Sequence, residues 1–239
     1  MDELEIRVVK LTDTIYMLEQ APEVRAFLIL GEKSAILLDT GMIPMDLPKM
    51  INELTDLPVT LVLTHGDGDH TGNAHYFNQA WLHPAEFTNL VADHMKDIEL
   101  LAMEDGHIFD LGGRRIRVVH IPGHTPGSVG LLDEASGEFF SGDTVSHAPV
   151  FMFGPTRQPE QFLSSLKKLK DMADNGEISV IYPCHAECPV PVSAIDELIA
   201  CTEGMLNHTM EGEKAQLPVP NGPIVKLYKC GNSGIFTMD

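Results

Sequence analysis

The stretch Thr64-His65-Gly66-Asp67-Gly68-Asp69-His70-Thr71-Gly72 begins at the last residue of an apolar run, Val59–Thr64. The run reads as a short buried strand. The loop after it carries four potential metal ligands in six residues: His65, Asp67, Asp69 and His70. Gly66 and Gly68 between them are expected to let the backbone take conformations closed to other residues, so that the side chains converge. Imidazole with carboxylate suits Zn, Fe, Mn or Co. Loops rich in Gly, Asp and His also occur as plain solvated turns, so this loop needs support from elsewhere in the chain.

That support comes from three further strand ends. His124, in Gly123-His124-Thr125-Pro126-Gly127, follows the alternating run Gly113–Ile121. Asp143, in Ser141-Gly142-Asp143-Thr144, follows Glu138–Ser141. His185, in Pro183-Cys184-His185, follows Ile178–Tyr182. Ligands on loops that a rigid sheet holds are a usual way to build a site.

The rest of the chain supplies such a scaffold. Glu5–Lys10, Thr14–Glu19, Val24–Leu30 and Ser34–Asp39 read as strands, the last two joined by the hairpin signal Gly31-Glu32-Lys33. Asp46–Leu54 has helical spacing, with Pro48 tolerated in its first turn. Gly72–Phe77 reads as a short helix, Ala80–His83 as a brief strand and Pro84–Asp97 as helical. Ser128–Asp133 and Glu138–Ser141 flank a second hairpin at Ala135-Ser136-Gly137. Pro159–Met172 is amphipathic, with Phe162, Leu163, Leu166 and Leu169 on one face. Ser193–Met205 reads as helical, and Ile224–Lys229 and Gly234–Thr237 as strands. Two strand-rich halves with helices between them suggest an α/β fold of two stacked sheets with helices outside.

The chain resembles the metallo-β-lactamase superfamily across nearly its whole length. The pattern that carries the resemblance is a strand-ending Asp39, then His65 to His70 as H-x-D-x-D-H, then His124, Asp143 and His185 in that order. The resemblance implies a four-layer αββα sandwich of two mixed β-sheets flanked by helices, here as a single domain over 1–239. It implies a dinuclear metal-dependent hydrolase in which a metal-bridging hydroxide cleaves a small ester, thioester or lactone. One ion would be held by His65, Asp67 and His124, the other by Asp69, His70 and His185, with Asp143 between them. Asp69 would also act catalytically, orienting the nucleophile or passing a proton, and Asp39 would orient the ligand loop. The sequence departs from the commonest pattern at Asp67, where His is usual. The cofactors expected are two divalent metal ions. Zinc is the first expectation, and the added carboxylate keeps iron and manganese open.

Composition narrows the partners. The 239 residues hold 35 acidic against 16 basic side chains, a formal net charge of -19. A field of that sign repels phosphate backbones and anionic lipid. The expected partner is a small-molecule substrate, with no nucleic acid and no membrane; a homo-oligomer stays open. Cys184, Cys188, Cys201 and Cys230 read as reduced thiols. Met1-Asp2-Glu3-Leu4-Glu5 has no apolar signal region, so a soluble, cytoplasmic protein is expected.

Other residues take blander readings. His120 is expected to be a packed or edge histidine, His75 an exposed or supporting one, and Cys184 a small buried residue. His147 is weighed as a pocket lining. Arg157 stands equally between an anionic substrate and a surface role, and Phe151–Pro155 between a substrate wall and core packing. The competing activity is a di-iron oxidoreductase, as in flavodiiron oxygen or nitric oxide reductase domains, which would need a separate electron donor. A non-catalytic binding module is disfavoured, because every ligand position is filled.

Overall fold

Along Val24–Leu30 the side chains of Phe27 and Ile29 join one buried cluster, and those of Ala26 and Leu28 join another. A strand buried on both faces belongs inside a stack of layers. The chain is described by a computed structural model over residues 6–20, 24–88, 95–217 and 222–238.

The first sheet holds β1 (Ile6–Lys10), β2 (Ile15–Gln20), β3 (Val24–Leu30), β4 (Ala35–Leu38), β5 (Val59–Val62), β6 (Gln79–Leu82) and β7 (Glu99–Ala102), side by side in that order. Pairing is antiparallel from β1 to β4 and parallel from β4 to β7. The second sheet is built from β8 (Ile108–Asp110), β9 (Arg115–His120), β10 (Val129–Asp133) and β11 (Glu138–Gly142). The chain then leaves it through β12 (Pro149–Phe151) and returns as β13 (Val180–Pro183), parallel to β11. A further four-stranded sheet joins β12 to β14 (Glu213–Gln216), β15 (Ile224–Cys230) and β16 (Ser233–Thr237).

Ile15, Met17, Phe27, Ile36 and Val62 of the first sheet meet Ile116, Val118, Val129, Leu131 and Phe140 of the second. On the far side of the first sheet, α1 (Leu47–Leu54) buries Leu47 and Ile51 against Leu37, Leu61 and Leu63. Asp46 starts this helix by accepting from Lys49 N at 3.2 Å. On the far side of the second sheet, α3 (Pro159–Asp174) and α4 (Ala194–Leu206) cover Val119, Leu132, Phe139 and Ile181 with Phe162, Leu166, Leu169, Ile195 and Leu198. The result is the expected αββα order, with two mixed sheets at its centre. Among the described residues the remaining α-helix, α2 (Gly68–Thr71), is a single turn within the loop that carries His65 to His70.

Two local expectations fail. Pro84–Asp97 is not one helix: Pro84–Glu86 is a 3-10 turn and Glu99–Ala102, just beyond, is a strand. Residues 89–94 of that stretch lie outside the described residues, as does Met1–Glu5. Gly72–Phe77 is not a regular helix either; a 3-10 turn over Ala74–Tyr76 follows α2. No helix of the described residues is long and apolar enough to cross a membrane.

Candidate metal centre

β4 and β5 run the same way in the first sheet, and β11 and β13 run parallel in the second. β9 shares the direction of β11, since each is antiparallel to β10. The loops leaving these strands carry Asp39, His65, His124, Asp143 and His185. The glycine expectation for the first loop does not hold: neither Gly66 nor Gly68 is among the positive-φ residues. Convergence comes instead from a switch of backbone state. Asp67 is extended, with φ -67° and ψ 149°, and caps α2, so Asp69 and His70 follow on a helical turn. Positive φ falls elsewhere, on Gly123 and Gly142, the residues just before His124 and Asp143.

The seven side chains form two clusters that meet at Asp143. In one, Asp67 Oδ2 lies 3.5 Å from His65 Nε2 and 3.4 Å from His124 Nε2. In the other, Asp69 Oδ2 lies 3.7 Å from His70 Nε2 and 3.4 Å from His185 Nε2. Asp143 reaches both: Oδ2 is 3.5 Å from His124 Nε2, and Oδ1 is 3.2 Å from His70 Nε2 and from His185 Nε2. Ligand atoms about 2.1 Å from a tetrahedral ion stand about 3.4 Å from one another.

Each of three imidazoles is fixed through its other nitrogen. Asp39 Oδ2 can only accept, so His70 Nδ1 donates to it at 2.8 Å. Thr64 Oγ1 donates to Asp39 Oδ2 and therefore accepts from His65 Nδ1 at 3.0 Å. His124 Nδ1 donates to Phe151 O at 3.1 Å. Such outer bonds set the tautomer and aim Nε2. Asp39 itself has φ 61°, and Ala186, beside His185, has φ 55°. Non-glycine residues are held in that region at a cost of roughly 1–2 kcal/mol.

The fit to metal ions follows from these atoms. Nε2 of His65, His70 and His124 and Oδ1 of Asp143 are buried without a hydrogen-bond partner among the described residues. Buried polar atoms are rarely left so, unless something else satisfies them. Imidazole nitrogens and carboxylates converging on two points suit divalent cations. Burial pushes the Asp69 and Asp143 carboxyls up, but His70 and His185 outweigh it and hold both below the usual carboxylate range. For His185 burial acts downward, and the Asp143 and Asp69 carboxylates override it and lift the imidazole to about 10.

Other residues settle as follows. Asp39, His70 and Cys184 also cluster, but Asp39 Oδ2 there already accepts from Thr64 and His70. Burial raises the Cys184 thiol, which leaves it an inert packed group as expected. His120 stacks on His83 with ring centres 4.0 Å apart, and His75 is exposed beside Tyr76. His147 Nδ1 donates to Glu187 Oε2 at 2.8 Å. Phe151 and Phe153 pack on Leu217, Val225 and Phe236. Arg157 is not the surface group that one reading expected: its side chain is 15% exposed and its Nη2 donates to Asp67 Oδ2. Glu86 supports the site, and the sequence does not single it out. It is fully buried and accepts from Gly66 N at 3.0 Å and Gly127 N at 2.7 Å, which ties the two ligand loops together. No local pattern marks it, since a Glu in a polar stretch reads as solvated.

Comparison with known proteins agrees with this geometry. A family model described as the metallo-beta-lactamase superfamily matches residues 22–185. Over 207 residues the chain is 23% identical to the acyl-coenzyme A thioesterase MBLAC2 of Homo sapiens, covering 70% of this chain and 74% of that protein. It is 26% identical over 168 residues to the hydroxyacylglutathione hydrolase GloC of Haemophilus influenzae, covering 63% of this chain and 79% of that one. A solved metallo-beta-lactamase family protein from Thermus thermophilus superposes with a TM-score of 0.67 at 22% identity, over 84% of this chain and 83% of its own.

Proposed function

Because the chain belongs to the metallo-β-lactamase superfamily, we propose that it works, as a single domain, as a dinuclear metal-dependent hydrolase of small esters, thioesters or lactones. The observation that carries this reading is the set of buried, unpartnered Nε2 atoms of His65, His70 and His124 facing Asp143 and the flanking carboxylates. His65, Asp67 and His124 are assigned to one ion, and Asp69, His70 and His185 to the other, with Asp143 shared. Zinc is the first candidate, with manganese or iron as alternatives. When bound, two such ions supply Lewis acidity and a nucleophile at neutral pH from water.

The chain's own residues then have separable tasks. Asp39 and Thr64 keep the imidazoles of His65 and His70 in the tautomer that presents Nε2. Asp69 is the carboxylate assigned to take up a proton. Its side chain is 31% exposed and it is held ionised, whereas the similarly open Asp67 is engaged by Arg157. The acyl-coenzyme A thioesterase and hydroxyacylglutathione hydrolase names of the relatives support an acyl substrate. Four free thiols fit a reducing compartment, and a cytoplasmic location belongs to the same proposal.

The test is elemental analysis of the purified protein alongside turnover of a panel of acyl-coenzyme A thioesters, other thioesters and lactones. About two zinc or manganese per chain with turnover is the expected result. Iron at that stoichiometry without ester cleavage, but with oxygen consumed when a reductant is supplied, would replace this reading with the di-iron oxidoreductase.

A further inference from the structure

The two halves of the centre differ in one respect. Each consists of two imidazoles and one carboxylate, with Asp143 between them. Asp69 has only His70 and His185 as ionic partners among the described residues. Asp67 has His65, His124 and also a guanidinium, because Arg157 Nη2 donates to Oδ2. Oδ2 is the same oxygen that faces the two imidazoles. Arg157 thus acts on the atom offered to a cation, not on the far side of the carboxylate.

The arginine is built into this position. Its side chain is 15% exposed. Nη1 donates to Thr156 Oγ1 at 3.0 Å, and Nε is buried with no hydrogen-bond partner among the described residues. The next residue ties the segment to the His124 loop, since Gln158 N donates to Gly123 O at 2.8 Å. Gly154, just upstream, turns the chain with φ +100°. The backbone that aims Arg157 is therefore anchored to the loop that carries His124.

We propose that Arg157 is a positioning residue that neutralises Asp67 and thereby sets an unequal pair of metal affinities. The assignment rests on the metal-centre reading above. Asp67 and Arg157 together carry no net charge, like a neutral histidine ligand. The Asp69 half keeps its full negative charge and holds its cation more tightly. The Asp67 half binds more weakly, because its ligand oxygen is shared with a fixed cation a few ångströms from the ion.

The test is zinc binding by the full chain, measured by competition with a chromophoric chelator. Wild type, Arg157→Gln, Arg157→Lys, Asp67→His and Asp67→His/Arg157→Gln are compared. Wild type is expected to show two separable dissociation constants. Arg157→Gln is expected to tighten the weaker one by about tenfold, leaving the tighter one unchanged. Arg157→Lys keeps the charge and is expected to stay near wild type. With His at position 67, adding Arg157→Gln is expected to shift zinc binding less than it does beside Asp67, since the guanidinium no longer shares a carboxylate oxygen with the ion and only its more distant charge is removed. A weaker constant that Arg157→Gln leaves within twofold of wild type would overturn the proposal. So would an equal shift in the Asp67→His background, or an Arg157→Lys protein that behaves like Arg157→Gln. A wild-type chain that takes up no zinc would instead remove the metal-centre reading, and this assignment with it.

Discussion

Glu86 shows how much of a site can rest on a side chain that holds no ligand role. Its carboxylate is completely buried and accepts from the backbone of both ligand loops. Hydrogen bonds to a charged group contribute about 1.5–3 kcal/mol each. Glu86→Ala is expected to cost about 3 kcal/mol, which a chain of this size shows as a melting temperature lower by about 10 °C. Zinc retention on dialysis should fall as well, because Gly66 adjoins His65 and Gly127 belongs to the His124 loop. An unchanged melting curve would contradict this. At the same scale, His185 is lifted to about 10 by Asp143 and Asp69. An imidazole with a raised pKa carries its proton at neutral pH and must release it to bind a cation. Zinc affinity should therefore fall as the pH is lowered. Calorimetry in buffers of different ionisation enthalpy should show about one or more protons released per chain on metal binding. The proposed ligands were legible in the sequence as His and Asp at strand ends. Glu86 and Arg157 were not, because their partners lie 20 to 90 positions away along the chain.

Elements supply the aim. β5 leads into His65, and the change from extended Asp67 to α2 turns Asp69 and His70 toward the second cluster. Gly123 does the matching task after β9. A Cβ there would stand 2.3 Å from Phe162 Cα and N, the backbone of α3, and φ is +137°. Neither problem can be relieved by a side-chain rotation. Gly123→Ala is expected to destabilise the protein by at least about 2 kcal/mol and to displace His124, seen as a lower melting temperature together with loss of one bound zinc. A variant that keeps both zinc ions and its stability would show that the loop can shift freely. The strands and amphipathic helices were readable from periodicity: Pro159–Met172 is realised as Pro159–Asp174, and Val24–Leu30 as written. The stretch Pro84–Asp97 was not, because its apolar spacing fits a helix while burial of Glu86 and pairing of Glu99–Ala102 with β6 decide otherwise.

For the whole molecule, one arginine joins the sheets away from the metal end. Arg114 donates from Nη1 to Thr14 Oγ1 and Leu30 O beside the first sheet, from Nε to Asp133 at 2.7 Å, and from Nη2 to Glu138 at 3.2 Å in the second. Removing one partner of a buried pair strands the other charge, so Arg114→Ala is expected to cost roughly 3 kcal/mol in denaturant unfolding at pH 7. Burial pushes the Asp133 carboxyl up, but Ala135 N–H and Arg114 outweigh it and hold it below the usual value. A depressed carboxyl contributes stability above its unfolded pKa, about 4, and loses it as the pH falls through the lower folded value. The gap between wild type and Arg114→Ala should therefore narrow below about pH 4. A gap that stays constant would show that Asp133 is not its source. The sequence by itself determined the layer order and the candidate ligand set, because strand and helix periods and the order Asp39, His65 to His70, His124, Asp143, His185 are local properties of the chain. Tertiary structure alone decided which charge answers which: Arg157 on Asp67, Glu86 across two loops, Arg114 across two sheets. Those pairings depend on distances in space between residues far apart along the chain, and neither periodicity nor spacing encodes such distances.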